Sequence, residues 1–187
     1  MIIRFAVFCV TLFLGLSALR AQKRSIHIET TQHIEAEPAQ VFAILKSLER
    51  FPEWSPFLVE DPEQKHHVTG VDGEVGSTFH WEGVAETSLG SQTLSAYQTA
   101  SHLRFECDIQ KPFAGQPVFE YALRPTENGT ELIQSFDLPM GGFAYVMTQI
   151  FGVKKKMTAT NQLGLTRLKT LAELEAKQAI TFHQPSN

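Results

Sequence analysis

The sequence predicts an α+β domain in which a curved antiparallel sheet of six to seven strands lies around one long C-terminal helix. Three observations carry this. Between residues 66 and 138, six segments of strand length follow one another, divided by turn residues. A further alternating segment opens at Arg24, and a proline-bounded helical stretch separates it from the rest. After Gly142 the apolar spacing changes to that of a helix, and no proline interrupts it from Phe143 to about Gln178. Helices placed at the ends of an antiparallel sheet define the α+β class.

The elements follow in order. In residues 24–36, Ile26 and Ile28 alternate with His27 and Glu29, as in a half-buried strand. Glu37-Pro38-Ala39 opens a helix, because Pro38 near the first turn gives up an N–H that has no partner there anyway. Val41, Phe42, Leu45 and Leu48 then recur at helical spacing. Phe51-Pro52-Glu53-Trp54-Ser55-Pro56 stops it and leaves room for at most a short second helix. The strands are read at His66–Gly70, Val75–Glu82, Ser88–Gln98, His102–Ile109, Pro117–Arg124 and Thr130–Leu138. In Leu103–Ile109 the odd positions are apolar and the even ones charged, which sets Cys107 on the core face and Arg104 and Glu106 on the solvent face.

Asn128-Gly129 marks a hairpin between the last two strands. The same residues with Thr130 match an N-glycosylation sequon, which the turn explains without a glycan. Gly70, Gly73 and Gly76 are spaced for turns. In the final helix Phe143, Met147, Ile150, Phe151, Met157, Leu165, Leu168, Leu171 and Leu174 form an apolar face, with a bend expected near Gly152 or Gly164. The domain is read as residues 24–178, with 179–187 as a polar tail.

The 187 residues are 43% hydrophobic and 19% charged, with a formal net charge of −4. Such a chain is too apolar for disorder and, with 2 cysteines, too poor in Cys for a disulfide scaffold. An acidic balance without a strongly basic stretch argues against a nucleic-acid partner. The apolar content is unevenly spread. From Phe5 to Leu19 there is no charge, Arg4 precedes the run, and Arg20, Lys23 and Arg24 follow it. Fifteen uncharged residues suit the apolar core of a signal peptide and fall short of the roughly 20 that span a bilayer.

Residues 1–21 are therefore read as an export signal or as an uncleaved N-terminal membrane anchor. The protein is accordingly expected outside the cytoplasm, periplasmic or extracellular, or tethered to a membrane. Leu19-Arg20-Ala21 is an imperfect cleavage site, and the basic residues after the run oppose the usual charge asymmetry of an anchor, so both readings stay open. A buried helix of the domain is a third, disfavoured because the run has no polar face. Removal after Ala21 would take Arg4 and Arg20 with it, shift the charge from −4 to −6, and leave Cys107 without a second cysteine.

Several stretches resemble one family in the right order. They are Ile34-Glu35-Ala36-Glu37-Pro38-Ala39-Gln40-Val41-Phe42, Phe51-Pro52-Glu53-Trp54-Ser55-Pro56-Phe57 and Val75-Gly76-Ser77-Thr78-Phe79-His80-Trp81-Glu82-Gly83. Further on come Pro125-Thr126 with Asn128-Gly129-Thr130, and residues 164–169 (GLTRLK) before Glu173. Over residues 25–175 the chain resembles the SRPBCC superfamily, the START or Bet v 1-like "helix-grip" fold, in its polyketide cyclase/dehydrase branch. The resemblance implies a cavity between sheet and C-terminal helix that holds a lipid, a polyketide-like molecule or another apolar molecule. Its members range from carriers to aromatase/cyclases, so fold alone does not assign an activity.

On the inferred inner faces, Trp54, Phe79, Trp81, Phe105, Tyr121, Phe136, Phe143 and Met147 are candidates to line such a cavity, with solid packing as the alternative for each. Gln134, between Leu132 and Phe136, is an amide among apolar neighbours and needs a partner that a ligand could supply. Tyr121 is the best single hydrogen-bond donor. His80 and Glu82 flank Trp81, so they face solvent if Trp81 points inward, and form an acid/base pair in the cavity only in the opposite register. His66 and His67 are adjacent in a strand, so their side chains diverge and cannot share one metal ion. Lys154-Lys155-Lys156 is read as a solvated face or as a contact for anionic lipid heads. No metal or cofactor is expected. Three functions follow: a carrier or binder of a hydrophobic small molecule, a cyclase/dehydratase-type enzyme in the same cavity, or an accessory protein whose cavity its own side chains fill.

Overall fold

A computed structural model of the protein describes residues 23–183; the segment 1–21 read as a leader and residues 184–187 of the expected tail lie outside the described residues. The first strand, β1 (Lys23–Ile34), pairs along all its residues with the last, β7 (Gly129–Gly141). Between them come β2 (Lys65–Thr69), β3 (Thr78–Glu82), β4 (Leu89–Gln98), β5 (His102–Lys111) and β6 (Val118–Thr126). They form one seven-stranded antiparallel sheet in the order β1-β7-β6-β5-β4-β3-β2. Register shifts at Leu89/Gly90 and Leu94/Ala96 break the β4–β5 ladder, and irregularities of this kind bend a sheet.

Two layers of helix cover one face. The link from β1 to β2 contains α1 (Pro38–Lys46), α2 (Phe51–Trp54) and α3 (Phe57–Glu60). After β7 come α4 (Gly142–Ile150) and α5 (Val153–His183). Pro38 starts α1 as expected, and the Glu37 N–H donates to Gln40 Oε1 (3.2 Å) across the first turn. The helix-grip arrangement predicted from the sequence is the one formed, with α5 running along β1 and crossing α1 and α2.

Leu165, Leu168 and Ala172 of α5 are fully buried against the sheet, and each leucine contributes about 1.5–3 kcal/mol through burial. Polar contacts fix the helix lengthwise. Lys169 Nζ donates to the His33 carbonyl (2.8 Å), the Glu35 N–H donates to Glu173 Oε1 (2.9 Å), and Arg50 of the α1–α2 link pairs with both Glu53 and Glu175.

The two glycines expected to bend the final helix behave differently. Gly152, at φ +62°, ends α4 and separates it from α5. Gly164 lies inside an unbroken α5, where a Cβ would stand 3.1 Å from Pro56 Cδ, so it serves the close crossing of α5 over the α2–α3 turn. The helix continues to His183, beyond the expected end near Gln178. The strand read from Val75 begins only at Thr78, because Gly70, Gly73 and Gly76 all take left-handed φ and make residues 70–77 a loop. Asp72 in that loop accepts from Ser47 Oγ (2.6 Å) and from the Leu48 N–H (2.7 Å), which ties it to the end of α1.

The hairpin between β6 and β7 forms with Glu127 and Asn128 at its tip, and Gly129 as the first residue of β7. Gly129 has φ +137°, and a Cβ there would lie 2.1 Å from the Ile34 carbonyl oxygen. Beside it the buried Thr130 hydroxyl donates to the Ala36 carbonyl (2.7 Å). We expect Gly129→Ala to destabilise the domain by about 2–3 kcal/mol, combining backbone strain with displacement of the β1 terminus, as read by urea denaturation followed by circular dichroism. An unchanged midpoint would refute this role.

Candidate functional site

The register brings a polar rung into a largely apolar inner face. Thr30 of β1 pairs with Gln134 of β7, which pairs with Tyr121 of β6. Ile28, Phe136, Phe119 and Phe105 form an apolar rung on one side, and on the other Leu132 and Leu123 follow the half-buried Gln32 of β1. Within the polar rung Gln134 Nε2 donates to the Tyr121 hydroxyl oxygen at 2.9 Å. From the opposite layer Trp54 of α2 sets its ring edge-to-face with Tyr121, the centroids 6.4 Å apart, and with Phe51 at 4.9 Å.

Both prolines beside Trp54 are used. Pro52 occupies the first turn of α2, and Pro56 receives the close approach of α5. The indole is thereby held between the helices and the sheet.

Three buried polar atoms of this rung and of the Trp54 beside it have no hydrogen-bond partner, Gln134 Oε1, Trp54 Nε1 and Thr30 Oγ1; on α5, one turn before Leu165, the buried Asn161 Nδ2 has none either. Buried polar atoms are paired in the great majority of cases, and an unpaired one costs about 1–3 kcal/mol. Gln134 Oε1 is an acceptor and Trp54 Nε1 a donor, and both residues adjoin the Tyr121 side chain. Burial pushes the Tyr121 hydroxyl well above the ordinary tyrosine range, while the bond from Gln134 acts the other way. Its proton is therefore retained at neutral pH and available for donation. A second inner pair joins Cys107 and Gln92, with Sγ 3.9 Å from Oε1, and burial pushes the thiol up to about 12.

The remaining candidates divide. Phe79, Phe105 and Phe136 are fully buried, Phe105 lying edge-to-face with Tyr121 (5.9 Å) and Phe79 with Phe51 (5.1 Å). Trp81 is half-buried on the same face, its indole over Gly90, where a Cβ would stand 2.5 Å from the ring. Met147 is half-buried, and Phe143 stands on the outer side of α4 at 49% exposure. The inner-face placement expected for Phe143 is thus corrected: the break at Gly152 shifts the helical phase, and Tyr145 is the residue of α4 that packs on the core.

His80 and Glu82 do not enter the site. With Phe79 packed inward, His80 lies on the outer face, where it bonds Thr69 Oγ1 (3.0 Å) and stacks on His67 (4.8 Å), and Glu82 is exposed. The opposite register, the one that would make them a cavity acid/base pair, is not the one formed. His66 and His67 diverge as expected, His66 stacking on Phe79 and His67 on His80. Arg104 is outward and pairs with Glu106 and Glu120. Among the described residues, no group of three His, Cys, Asp or Glu side chains is placed to hold a metal ion, and the buried titratable groups are Cys107 and Tyr121.

Thr30, Gln92 and Asn161 were not singled out in the sequence. Thr30 continues the Ile26, Ile28 alternation, and Asn161 precedes Leu165 by four residues, so periodicity could have found both.

Comparison with known proteins gives a consistent picture. Residues 25–173 match the family described as "Polyketide cyclase / dehydrase and lipid transport". The fold is similar to that of the di-domain aromatase/cyclase StfQ from the steffimycin biosynthetic pathway, with a TM-score of 0.65 at 11% identity, covering 82% of this chain and 52% of that one. A protein of unknown function from Staphylococcus aureus superposes with a TM-score of 0.63 at 11% identity over 83% of this chain and 98% of its own. Protein CV1439 from Chromobacterium violaceum gives 0.58 at 15% identity over 79% of this chain and 96% of its own. No curated protein matches the sequence.

Two outcomes follow from this geometry. Tyr121→Phe strands the whole Gln134 amide and should cost about 1–3 kcal/mol in urea denaturation, while the Tyr121→Phe/Gln134→Leu pair should cost less than the sum of the two single changes. Strict additivity would show that the bond is not formed. Burial, and then the neighbouring His67, hold the His80 imidazole below the ordinary histidine value. The native state therefore favours the neutral ring, its contribution to stability is complete above about pH 6.5, and it is lost as the pH falls from there through the lowered value. His80→Gln should flatten that fall in stability, and NMR titration of the ring should show late protonation; a ring titrating at or above the ordinary value would contradict it.

Proposed function

The chain belongs to the polyketide cyclase/dehydrase and lipid transport family, and from that premise we propose that it binds and carries an apolar small molecule bearing one hydroxyl or carbonyl group. The observation that carries this reading is the opposed pair of unpaired buried groups beside Tyr121, the Gln134 Oε1 acceptor and the Trp54 Nε1 donor. A hydroxyl satisfies Oε1, a carbonyl satisfies Nε1, and the aromatic and aliphatic rungs around them suit a body without charge. Among the described residues no ionised side chain, of the kind that would favour a charged ligand, is buried as a whole; the buried Nε of Arg167 belongs to a half-buried guanidinium that donates to the Glu53 carbonyl.

Carriage is favoured over cyclase or dehydratase chemistry by the same inventory. Proton transfer at a carbonyl needs an acid or base whose pKa lies near the working pH. Tyr121 and Cys107 are both pushed upward by burial, and His80 and Glu82 are on the other side of the sheet or exposed. The uncharged run Phe5–Leu19 supports a place for the carrier in the cell envelope, exported or tethered.

The test uses naphthol and methylnaphthalene, which have similar shapes and differ in one hydrogen-bonding group, titrated into the full chain and followed by indole fluorescence. We expect naphthol to bind roughly tenfold more tightly, the worth of one to two hydrogen bonds. Gln134→Leu and Trp54→Phe should each reduce that preference while leaving methylnaphthalene binding within about twofold. Absence of binding by either compound, or a preference indifferent to both substitutions, would defeat the reading.

A further inference from the structure

The two ends of the sheet differ in chemistry. At one end lie the start of β1, the end of β7 with α4 after it, and the turns 83–88 and 112–117, as the pairings Lys23 with Gly141, Leu89 with Lys111 and Val118 with Asp137 establish. This end exposes large apolar side chains. Phe113 is 85% exposed, Phe151 73% and Ile150 69%, with Phe143 and Val146 beside them on α4. At the other end the 70–77 loop exposes Val71 and Val75 and is held to α1 by Asp72 and by Lys46, which pairs with Glu74 and stands over the Tyr97 ring at 4.3 Å.

Charge follows the same division. In a chain of net charge −4, residues 138–166 contain Lys154, Lys155 and Lys156 and no Asp or Glu. Lys154, Lys155 and Lys156 are exposed directly after Ile150 and Phe151, and make no ion pair among the described residues. Arg24 stacks over Tyr145 next to them. Of the acidic groups of this end, Glu60, Asp61, Glu63, Glu82 and Glu86 lie toward the β2–β3 edge, where Glu86 is paired with Lys111; Asp108 is on β5, and Asp137 on β7 is paired with His27 of β1.

We propose that the face formed by α4, the Phe151–Gly152 break and the start of α5 docks on an anionic phospholipid bilayer, with the β2–β3 edge tilted away from it. Exposed Phe, Ile and Val set among Lys is the pattern of an interfacial helix, whose apolar face enters the headgroup boundary while cations contact anionic heads. At nine residues and about 1.5 Å per residue α4 is too short to cross a bilayer and suited to lie in its surface. Among the described residues no helix is long and apolar enough to cross.

The sequence supplies a second, independent reason. Strand β1 begins at Lys23 opposite Gly141, at this same end, and the uncharged run Phe5–Leu19 stops four residues earlier, within about 14 Å of extended chain. This inference rests on the surface and not on the inner site, so either can fail alone.

The test is flotation and hydrogen exchange of the full chain with vesicles of phosphatidylcholine alone and of phosphatidylcholine with phosphatidylglycerol. We expect flotation with the anionic vesicles and slowed exchange over residues 142–156, with none over 70–77. Ile150→Glu/Phe151→Glu, and separately Lys154→Gln/Lys155→Gln/Lys156→Gln, should weaken flotation roughly tenfold or more, the effect of removing inserted apolar groups or three cations at an anionic surface. Naphthol binding should be unchanged in both. Absence of flotation overturns the proposal. So does flotation without protection over 142–156 or indifferent to both variants, which would mean that the N-terminal run alone holds the vesicle. Self-association without vesicles that Ile150→Glu/Phe151→Glu abolishes would assign the face to a second copy and also overturn it.

Discussion

Strands β1 and β2 follow one another in the chain and lie on opposite edges of the sheet. Seven strands place those edges about 29 Å apart, at roughly 4.8 Å per spacing. The connection from β1 to β2 must therefore traverse the whole sheet, and it does so as α1, α2 and α3 with their short links. Everything about the interior depends on this traverse. It delivers Trp54 opposite Tyr121, and it puts Pro56 where α5 crosses, so that a side chain at residue 164 would crowd it. The return pairing of β7 with β1 then sets α5 along β1, and the inner face is covered from two directions by segments far apart in the chain.

The two faces of the sheet hold different kinds of polarity. Outside, Arg104 bridges Glu106 and Glu120, and His67 stacks on His80, arrangements in contact with water that contribute modestly to stability. Inside, polarity is carried by neutral amides, hydroxyls and an indole N–H. A neutral polar group costs far less to bury than an ion, yet still demands a geometrically matched partner. An interior built this way discriminates by hydrogen-bond direction and not by charge.

Much of this was legible in the chain because alternation is a strong signal when one sheet face is ionic. Leu103–Ile109 is the plainest case, and it placed Cys107 and Arg104 on the faces they occupy. The helix start at Pro38 and the hairpin before Gly129 were legible from residues that admit few conformations. What escaped reading is tertiary. Nothing local says that Gly164 meets Pro56 while Gly152 breaks a helix, since both are glycines in an amphipathic run. The same ambiguity carried Phe143 to the wrong side, because the helical phase was continued through a break. At the polar rung the sequence indicated Tyr121 and Gln134 separately, and only the β6–β7 register joins them. Thr30 and Asn161 enter from elements distant in sequence.

An open sheet has two free edges, and each could recruit a strand from another molecule. Here they are unequal. The β2 edge is five residues long, carries Lys65, His66 and His67, and is solvated along most of its length. The β1 edge is longer at twelve residues, and it is there that α5 lends its side chains: Lys169 takes the His33 carbonyl, Gln162 bonds Gln32, and Glu173 takes the Glu35 N–H just past the strand. The helix that grips the interior is thus also a guard against edge-to-edge polymerisation. Loosening its C-terminal half would open the β1 edge to intermolecular pairing as well as uncover Ala172.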